Sequence, residues 1–296
     1  MNKYLTIDVG GTFVKYALID EVLNITEKQI IATPQESLDE FIETIGEIYD
    51  HYHDVIKGMA LSMPGIIDPQ TGFCFTGGAL KYIQNIPMIE CLQKRCPTLI
   101  SIGNDAKCAA NAEVGFGSLK DVQDAVVIVL GTAVGGCLIK DKKVHTGKHF
   151  CAGEFSFVST DINNYQDFSN TWWQKSGSIG LLKQYRQCSN TDEQLTGKEI
   201  FTKVLAGDEN AIKALDLYTL DLAVQICNIQ TIFDPEKIAI GGGISEQPLL
   251  FEMLEKNIKR ILELTQAPIP LPQIVACQFK NDANLIGALY QFIKTK

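Results

Sequence analysis

At 296 residues the chain holds enough material for two lobes of ordinary domain size, and its 46% hydrophobic content is that of a well-packed globular protein. A formal charge of −9 argues against a nucleic-acid surface, which needs a basic patch, but permits an anionic ligand held by backbone dipoles and a divalent cation. The longest apolar stretch, Ala125–Ile139, is interrupted by Gly and Thr and too short to span a bilayer. No secretory signal is evident at the start, so a cytoplasmic protein is expected. The nine cysteines are odd in number and form no Cys-x-x-Cys pair, which points away from a disulfide framework and a Cys-rich zinc site.

In chain order, strands are predicted at about 4–8, 13–19, 24–31, 55–63 and 98–103, with helices near 36–50, 88–95 and 105–114. His51 and His53 fall at the end of the first helix and read as solvated. A strand pair follows at 125–130 and 134–140, then a long helix near 208–232 and a strand at 237–241. A helix at 248–263, a strand near 273–277 and a helix at 282–294 complete the chain. Strands and helices alternating in this order mean an α/β fold with sheets covered on both faces. Residues 145–176 form the irregular stretch, polar and aromatic, of a length that is usually functional.

Residues 124–139 repeat the design of residues 4–19: an apolar strand, a Gly/Thr turn and a second apolar strand. Glycine brings bare backbone N–H groups close to a ligand, and successive N–H groups make an anion-binding concavity to which a Thr hydroxyl adds a donor. Two such hairpins suggest a duplicated fold gripping a polyphosphate. A P-loop string is absent, and the Thr-Phe-Val-Lys run after Gly11 reads as a strand rather than a dinucleotide-binding helix.

Asp8 closes the first strand before Gly10, Gly11 and Thr12, where a carboxylate needs a cation such as Mg²⁺, direct or through water, or else serves an Asx turn. Lys15 either offsets phosphate charge or is a solvated strand lysine. Asn104 and Asp105 stand between a strand and a helix, as a base with a sugar-orienting amide or as helix caps. Glu154 is either an acceptor for two sugar hydroxyls or a surface glutamate, and Gly241-Gly242-Gly243 suits close approach of a nucleotide.

Six strings together resemble the ROK family of sugar kinases and repressors: Asp8-Val-Gly-Gly-Thr12, Ser62-Met-Pro-Gly-Ile-Ile-Asp68, Gly103-Asn-Asp-Ala106, Leu130-Gly-Thr-Ala-Val-Gly-Gly136, Ala152-Gly-Glu154 and Ile240-Gly-Gly-Gly243. The resemblance implies a duplicated ribonuclease-H-like, actin-like ATPase fold with two lobes and an interlobe cleft. The expected lobes are 1–118, with the helix 282–296 packing back on it, and 119–281, with a hinge near 115–123. It implies Asp105 as general base, and Asn104 and Glu154, with Gly65 nearby, as sugar-binding residues. Gly131 and Thr132 join the first turn in holding phosphate, and the late glycines lie by the adenosine. ATP and Mg²⁺ are the expected cofactors. The expected partners are a small-molecule sugar or glucoside and a second copy of the chain, with neither nucleic acid nor membrane.

Two departures refine the expectation. Zinc-bearing members carry Gly-Glu-x-Gly-His and a closely spaced Cys cluster; here the string is Gly153-Glu-Phe-Ser-Phe157, and no Cys follows it through Gln187, so structural zinc is not expected. The family histidine also contacts the anomeric hydroxyl. Phe157 offers no polar atom there, and either forms a wall for an aglycone or fills the volume of the missing zinc site. With Gly77–Leu80 before the acceptor region, the pattern looks most like bacterial β-glucoside kinases, implying phosphorylation of O6 of the glucosyl unit of cellobiose-type sugars. Kinases of N-acetylmannosamine or glucose are the alternatives within the class. A sugar-responsive repressor or sensor is disfavoured, because the first phosphate strand begins by Tyr4 and leaves no room before it for a helix-turn-helix. Trp172 and Trp173 either stack on the distal sugar or pack in a core.

Overall fold

The computed structural model describes residues 1–295. The chain divides into two compact units, each with its own hydrophobic core. The first comprises residues 1–120, 146–151 and 281 onward; the second comprises 121–145 and 152–280.

In the first unit, β1 (Lys3–Val9) and β2 (Phe13–Asp20) form an antiparallel hairpin extended by β3 (Ile25–Ala32). β1 is buried from Tyr4 to Val9, as a central strand covered on both faces must be, whereas β3 carries Glu27, Lys28 and Gln29 outward as an edge. Helix α1 (Leu38–Tyr52) starts where Ser37 accepts the Glu40 N–H and buries Phe41, Ile45, Ile48 and Tyr49, a stripe of helical spacing. β4 (Ile56–Met63) then runs parallel to β1. A small antiparallel sheet follows, of β5 (Ile67–Asp68), β6 (Phe73–Thr76) and β7 (Gln84–Pro87). Helix α2 (Met88–Arg95), the parallel strand β8 (Ile100–Asn104) and α3 (Asp105–Phe116) come next.

The second unit repeats the topology. β9 (Ala125–Leu130), β10 (Val134–Lys140) and β11 (Lys143–His145) are the antiparallel members. After the short α4 (Trp172–Lys175) come α5 (Gly177–Ser189), α6 (Gly197–Leu205) and the long α7 (Glu209–Phe233). β12 (Lys237–Gly241) lies parallel to β9, and beyond α8 (Pro248–Thr265) β13 (Ile274–Ala276) lies parallel to β12. The orders β3-β2-β1-β4-β8 and β11-β10-β9-β12-β13 correspond strand for strand, including which neighbours are antiparallel. The duplicated α/β fold is therefore present in the strand pairing itself.

The chain then returns to the first unit as α9 (Ala283–Lys294). Phe292 packs on Tyr4 with ring centroids 5.3 Å apart, and Tyr290 meets Phe116 at 5.5 Å. The expected last residue of this helix, Lys296, lies outside the described residues. Among the described residues no helix is long and apolar enough to cross a membrane.

Candidate active-site residues

Strand pairing places the first cluster. Asp8 stands opposite Lys15 on β2 and opposite Ser62 on β4, so three side chains from adjacent strands meet at one level of the sheet. Ser62 Oγ donates to Asp8 Oδ1 at 3.2 Å, Asn284 Nδ2 of α9 donates to the same oxygen at 2.9 Å, and Lys15 Nζ is 3.9 Å from Oδ2. Burial pushes the Asp8 carboxyl above its ordinary range, against the opposing pull of Asn284, Lys15 and Ser62. A buried carboxylate carrying that desolvation cost favours a cation beside it. Among the described residues no three His, Cys, Asp or Glu side chains gather as a metal cluster. One carboxylate and a polar surround fit Mg²⁺, which keeps most of its waters and takes further oxygens from phosphates.

Immediately beyond Asp8 the chain turns. Gly10 N–H donates to Phe13 O at 2.9 Å, Thr33 Oγ1 donates to Gly10 O at 2.7 Å, and Thr33 N–H donates to Thr12 O at 2.9 Å. Carbonyls of the turn are thus tied back to the sheet while Gly11 and Thr12 remain exposed.

The second cluster stands at the end of β8. Asn104 is the N-cap of α3: its Oδ1 accepts the Lys107 N–H at 3.1 Å. Its Nδ2 donates to Gly65 O and to Asp105 Oδ1, each at 3.0 Å. Gly65 has φ +104, and a side chain there would run into the Thr76 carbonyl, so only glycine lets this backbone approach Asn104. Asp105 is half-buried at the first helical position, with Oδ1 held by Asn104 and, at 2.7 Å, by the Ala106 N–H. The cap role that sequence left open between Asn104 and Asp105 falls to Asn104.

In the second unit Gly131 and Thr132 form an exposed turn whose carbonyls are held from behind by the start of α5. Ser178 N–H donates to Gly131 O at 2.9 Å and Ile179 N–H to Thr132 O at 3.1 Å. A cavity of about 350 Å³ adjoins this turn, lined by Gly131, Ser178, Lys198, Phe201, Gly243 and Glu246 among others. The three late glycines do different things. Gly241 packs against Cys277, Gly242 holds φ +90 against the Leu130 backbone, and Gly243 leaves open space in the cavity wall.

The Glu154 loop follows in the same unit. Glu154 is half-buried, and its carbonyl accepts the Phe157 N–H at 3.3 Å. Phe157 is 72% exposed and therefore fills no interior volume. The buried aromatics of this segment are Phe155 and Trp172, whose rings lie 5.3 Å apart; Trp172 is only 1% exposed and is a core residue. Trp173 packs beside Phe168 at 5.6 Å.

Ser62 stands at the head of a motif string without an assigned role until the parallel register sets it opposite Asp8, and Asn284, Ser178, Lys198 and Lys107 were not singled out in the sequence. Asn284 becomes a neighbour of Asp8 only through the return of α9.

The ROK family profile matches residues 4–295. The chain belongs to the ROK family. It is 28% identical over 298 residues to a beta-glucoside kinase of Listeria innocua, covering 99% of this chain and 98% of the relative. It is also 28% identical to an N-acetyl-D-glucosamine kinase of Histophilus somni, covering 98% and 99%. A ROK family protein of Streptococcus pneumoniae, solved in complex with sucrose, superposes with a TM-score of 0.88 at 27% identity, covering 99% of this chain and 98% of that one.

Proposed function

We propose that this ROK-family sugar kinase transfers the γ-phosphoryl group of ATP to O6 of the glucosyl unit of β-glucosides such as cellobiose. The observation that carries the acceptor choice is Phe157, 72% exposed on the loop that bears Glu154. A side chain built to hydrogen-bond the anomeric hydroxyl rejects sugars lacking it; a phenyl ring leaves nothing unpaired when O1 is substituted. The relatives named beta-glucoside kinase support the same choice.

Asp105 is the proposed base. Its carboxylate takes the O6 proton as O6 bonds to the γ-phosphorus, while the bond to the β,γ-bridging oxygen breaks and its electron pair leaves with ADP. Asn104, itself anchored on the Gly65 carbonyl, holds Asp105 in orientation, and the remaining acceptor capacity of Asn104 is proposed to face a sugar hydroxyl. Glu154 is proposed to accept hydrogen bonds from ring hydroxyls. The Gly10–Thr12 and Gly131–Thr132 turns, with Lys15, are proposed to hold phosphate oxygens. Gly241–Gly243, through the adjoining cavity, are proposed to take the adenosine. Asp8 is the residue that would hold Mg²⁺, directly or through water, and the ion would supply neutralisation of phosphate charge.

A second reading, an amino-sugar kinase, is favoured by the N-acetyl-D-glucosamine kinases among the relatives. The test is kcat/KM with MgATP for cellobiose, an aryl β-glucoside, glucose, N-acetylmannosamine and N-acetylglucosamine. The glucosides are expected to lead. A free monosaccharide ahead by more than about tenfold replaces this reading with the other.

A further inference from the structure

One aromatic surface of the first unit takes its meaning from the glucoside reading, on which the subsite rests. In β6 the side chains alternate, with Cys74 facing the core, so Phe73 and Phe75 share the opposite face. That face of a small antiparallel sheet is ordinarily polar, yet Phe75 is 39% exposed. The ring of Phe150 stacks on Phe75 with centroids 5.8 Å apart and planes 27° apart, and Phe73 meets Phe75 edge-on at 4.9 Å. Phe150 has φ +60, a region that a bulky residue enters only under strain and that glycine enters freely. Its carbonyl is nonetheless fixed, accepting a hydrogen bond from Lys107 Nζ at 2.6 Å, and Lys107 is buried. Strained backbone persists where its surroundings over-determine it, and such residues cluster at ligand sites.

Both phenylalanines lead back to the acceptor residues. Phe75 N–H donates to Ile66 O at 2.9 Å, Ile66 N–H donates to Thr76 Oγ1 at 3.1 Å, and the adjacent Gly65 carbonyl takes the Asn104 amide at 3.0 Å. Lys107 is in the first turn of α3, two residues past Asp105, and its own N–H is capped by Asn104. In a β-glucoside the aglycone is carried on O1, whose bond stays intact, and the reacting atom is O6. Both are borne on carbons flanking or next to those flanking the ring oxygen, so an O1 substituent emerges only a few bonds from the reacting centre. We infer that the Phe75–Phe150 pair is the subsite for the aglycone ring, with Lys107 as the positioning residue that holds Phe150 in place. A β-linked pyranose offers a face of axial C–H groups and an aryl aglycone offers its π-face; either lies flat on a phenyl ring.

The experiment measures kcat/KM for cellobiose and for a nitrophenyl β-glucoside, each divided by the value for glucose, in the full-length protein. Phe75→Ala and Phe150→Gly are expected to lower both ratios at least about tenfold, chiefly through KM of the glucoside. Lys107→Met is expected to lower them in the same way, and Phe75→Tyr to restore them, with thermal melts recorded alongside. If wild-type protein prefers glucosides and Phe75→Ala and Phe150→Gly, folded by their melts, keep both ratios, the subsite is wrong and the glucoside reading stands. Should Phe75→Ala fail to fold, Phe75→Tyr and Phe75→Leu carry the comparison, and equal ratios in those two overturn the subsite. A wild-type protein that prefers free glucose by more than about tenfold overturns the glucoside reading and the subsite together.

Discussion

Asp105 opens a helix, where an aspartate is ordinarily a cap, but here Asn104 already accepts the Lys107 N–H as N-cap. Asp105→Asn therefore keeps the cap and the shape of the side chain while removing the proton acceptor. General-base catalysis contributes about 10²–10⁴-fold, so kcat should fall by about that factor with little change in KM or melting temperature. Steady-state kinetics beside a thermal melt separates the two roles; near-normal kcat with lost stability would leave Asp105 a structural residue. Gly242 poses a different question. With φ +90 and the Leu130 backbone where a Cβ would go, Gly242→Ala must either distort the link between β12 and the cavity wall or push on β9. Strain of this kind costs about 1–3 kcal/mol, so a lower melting temperature together with weaker ATP-analogue binding is expected. Gly243→Ala, whose Cβ meets open space, is the companion variant and should fold normally. Equal stability of Gly242→Ala and wild type would remove the argument.

Between α5 and α7, Gln184 Nε2 donates to Asp221 Oδ2 at 3.3 Å. Burial raises the Asp221 carboxyl above its ordinary range, only partly offset by Lys175 and Gln184. The unfolded chain therefore ionises this group more readily than the folded one. Stability from the group is full below the unfolded value and is lost as pH rises through the folded one. Asp221→Asn escapes that loss, so its melting temperature should exceed wild type increasingly as pH rises above the ordinary carboxylate range and converge with it at low pH; a pH-independent difference would contradict this. The same elements show what sequence patterning can reach. Strands β1, β2, β4, β9, β10 and β12 were legible because they are apolar runs bounded by Gly or polar turns, and α1, α7, α8 and α9 because their apolar residues recur at helical spacing. The small sheet β5–β7 was missed because strands of two to four residues are too short to show a period. Helices α5 and α6 begin at Gly177 and Gly197, residues that read as turn formers. Of the candidate site, the motif residues themselves were legible; partners from remote segments, such as Asn284 and Ser178, were not, since only tertiary packing brings them near.

Over the whole molecule, each unit carries chemistry of its own, which gives a ligand-by-ligand expectation. The cavity beside Gly131 is built entirely from the second unit, and Asp105, Asn104, Phe75 and Phe150 belong entirely to the first. AMP without Mg²⁺ lacks the γ-phosphate and the cation that would engage Asp8, so it should address the cavity alone. In peptide-level hydrogen exchange, AMP should slow amides at 131–133, 177–179, 197–201 and 243–247, where the turn and the starts of α5 and α6 surround the space. At about a hundredfold excess over Kd, binding stabilises by about 2.7 kcal/mol, so the slowing at amides that exchange through opening of this site should approach a hundredfold. Cellobiose alone should instead slow exchange at 65–76, 104–107 and 150, because its proposed contacts in the first unit are there. The two footprints are expected to be separable in this way because the backbone N–H groups concerned belong to different compact units. AMP protection confined to the first unit, or an AMP footprint absent from 131–133 and 243–247, would mean that the cavity is not where the adenosine binds.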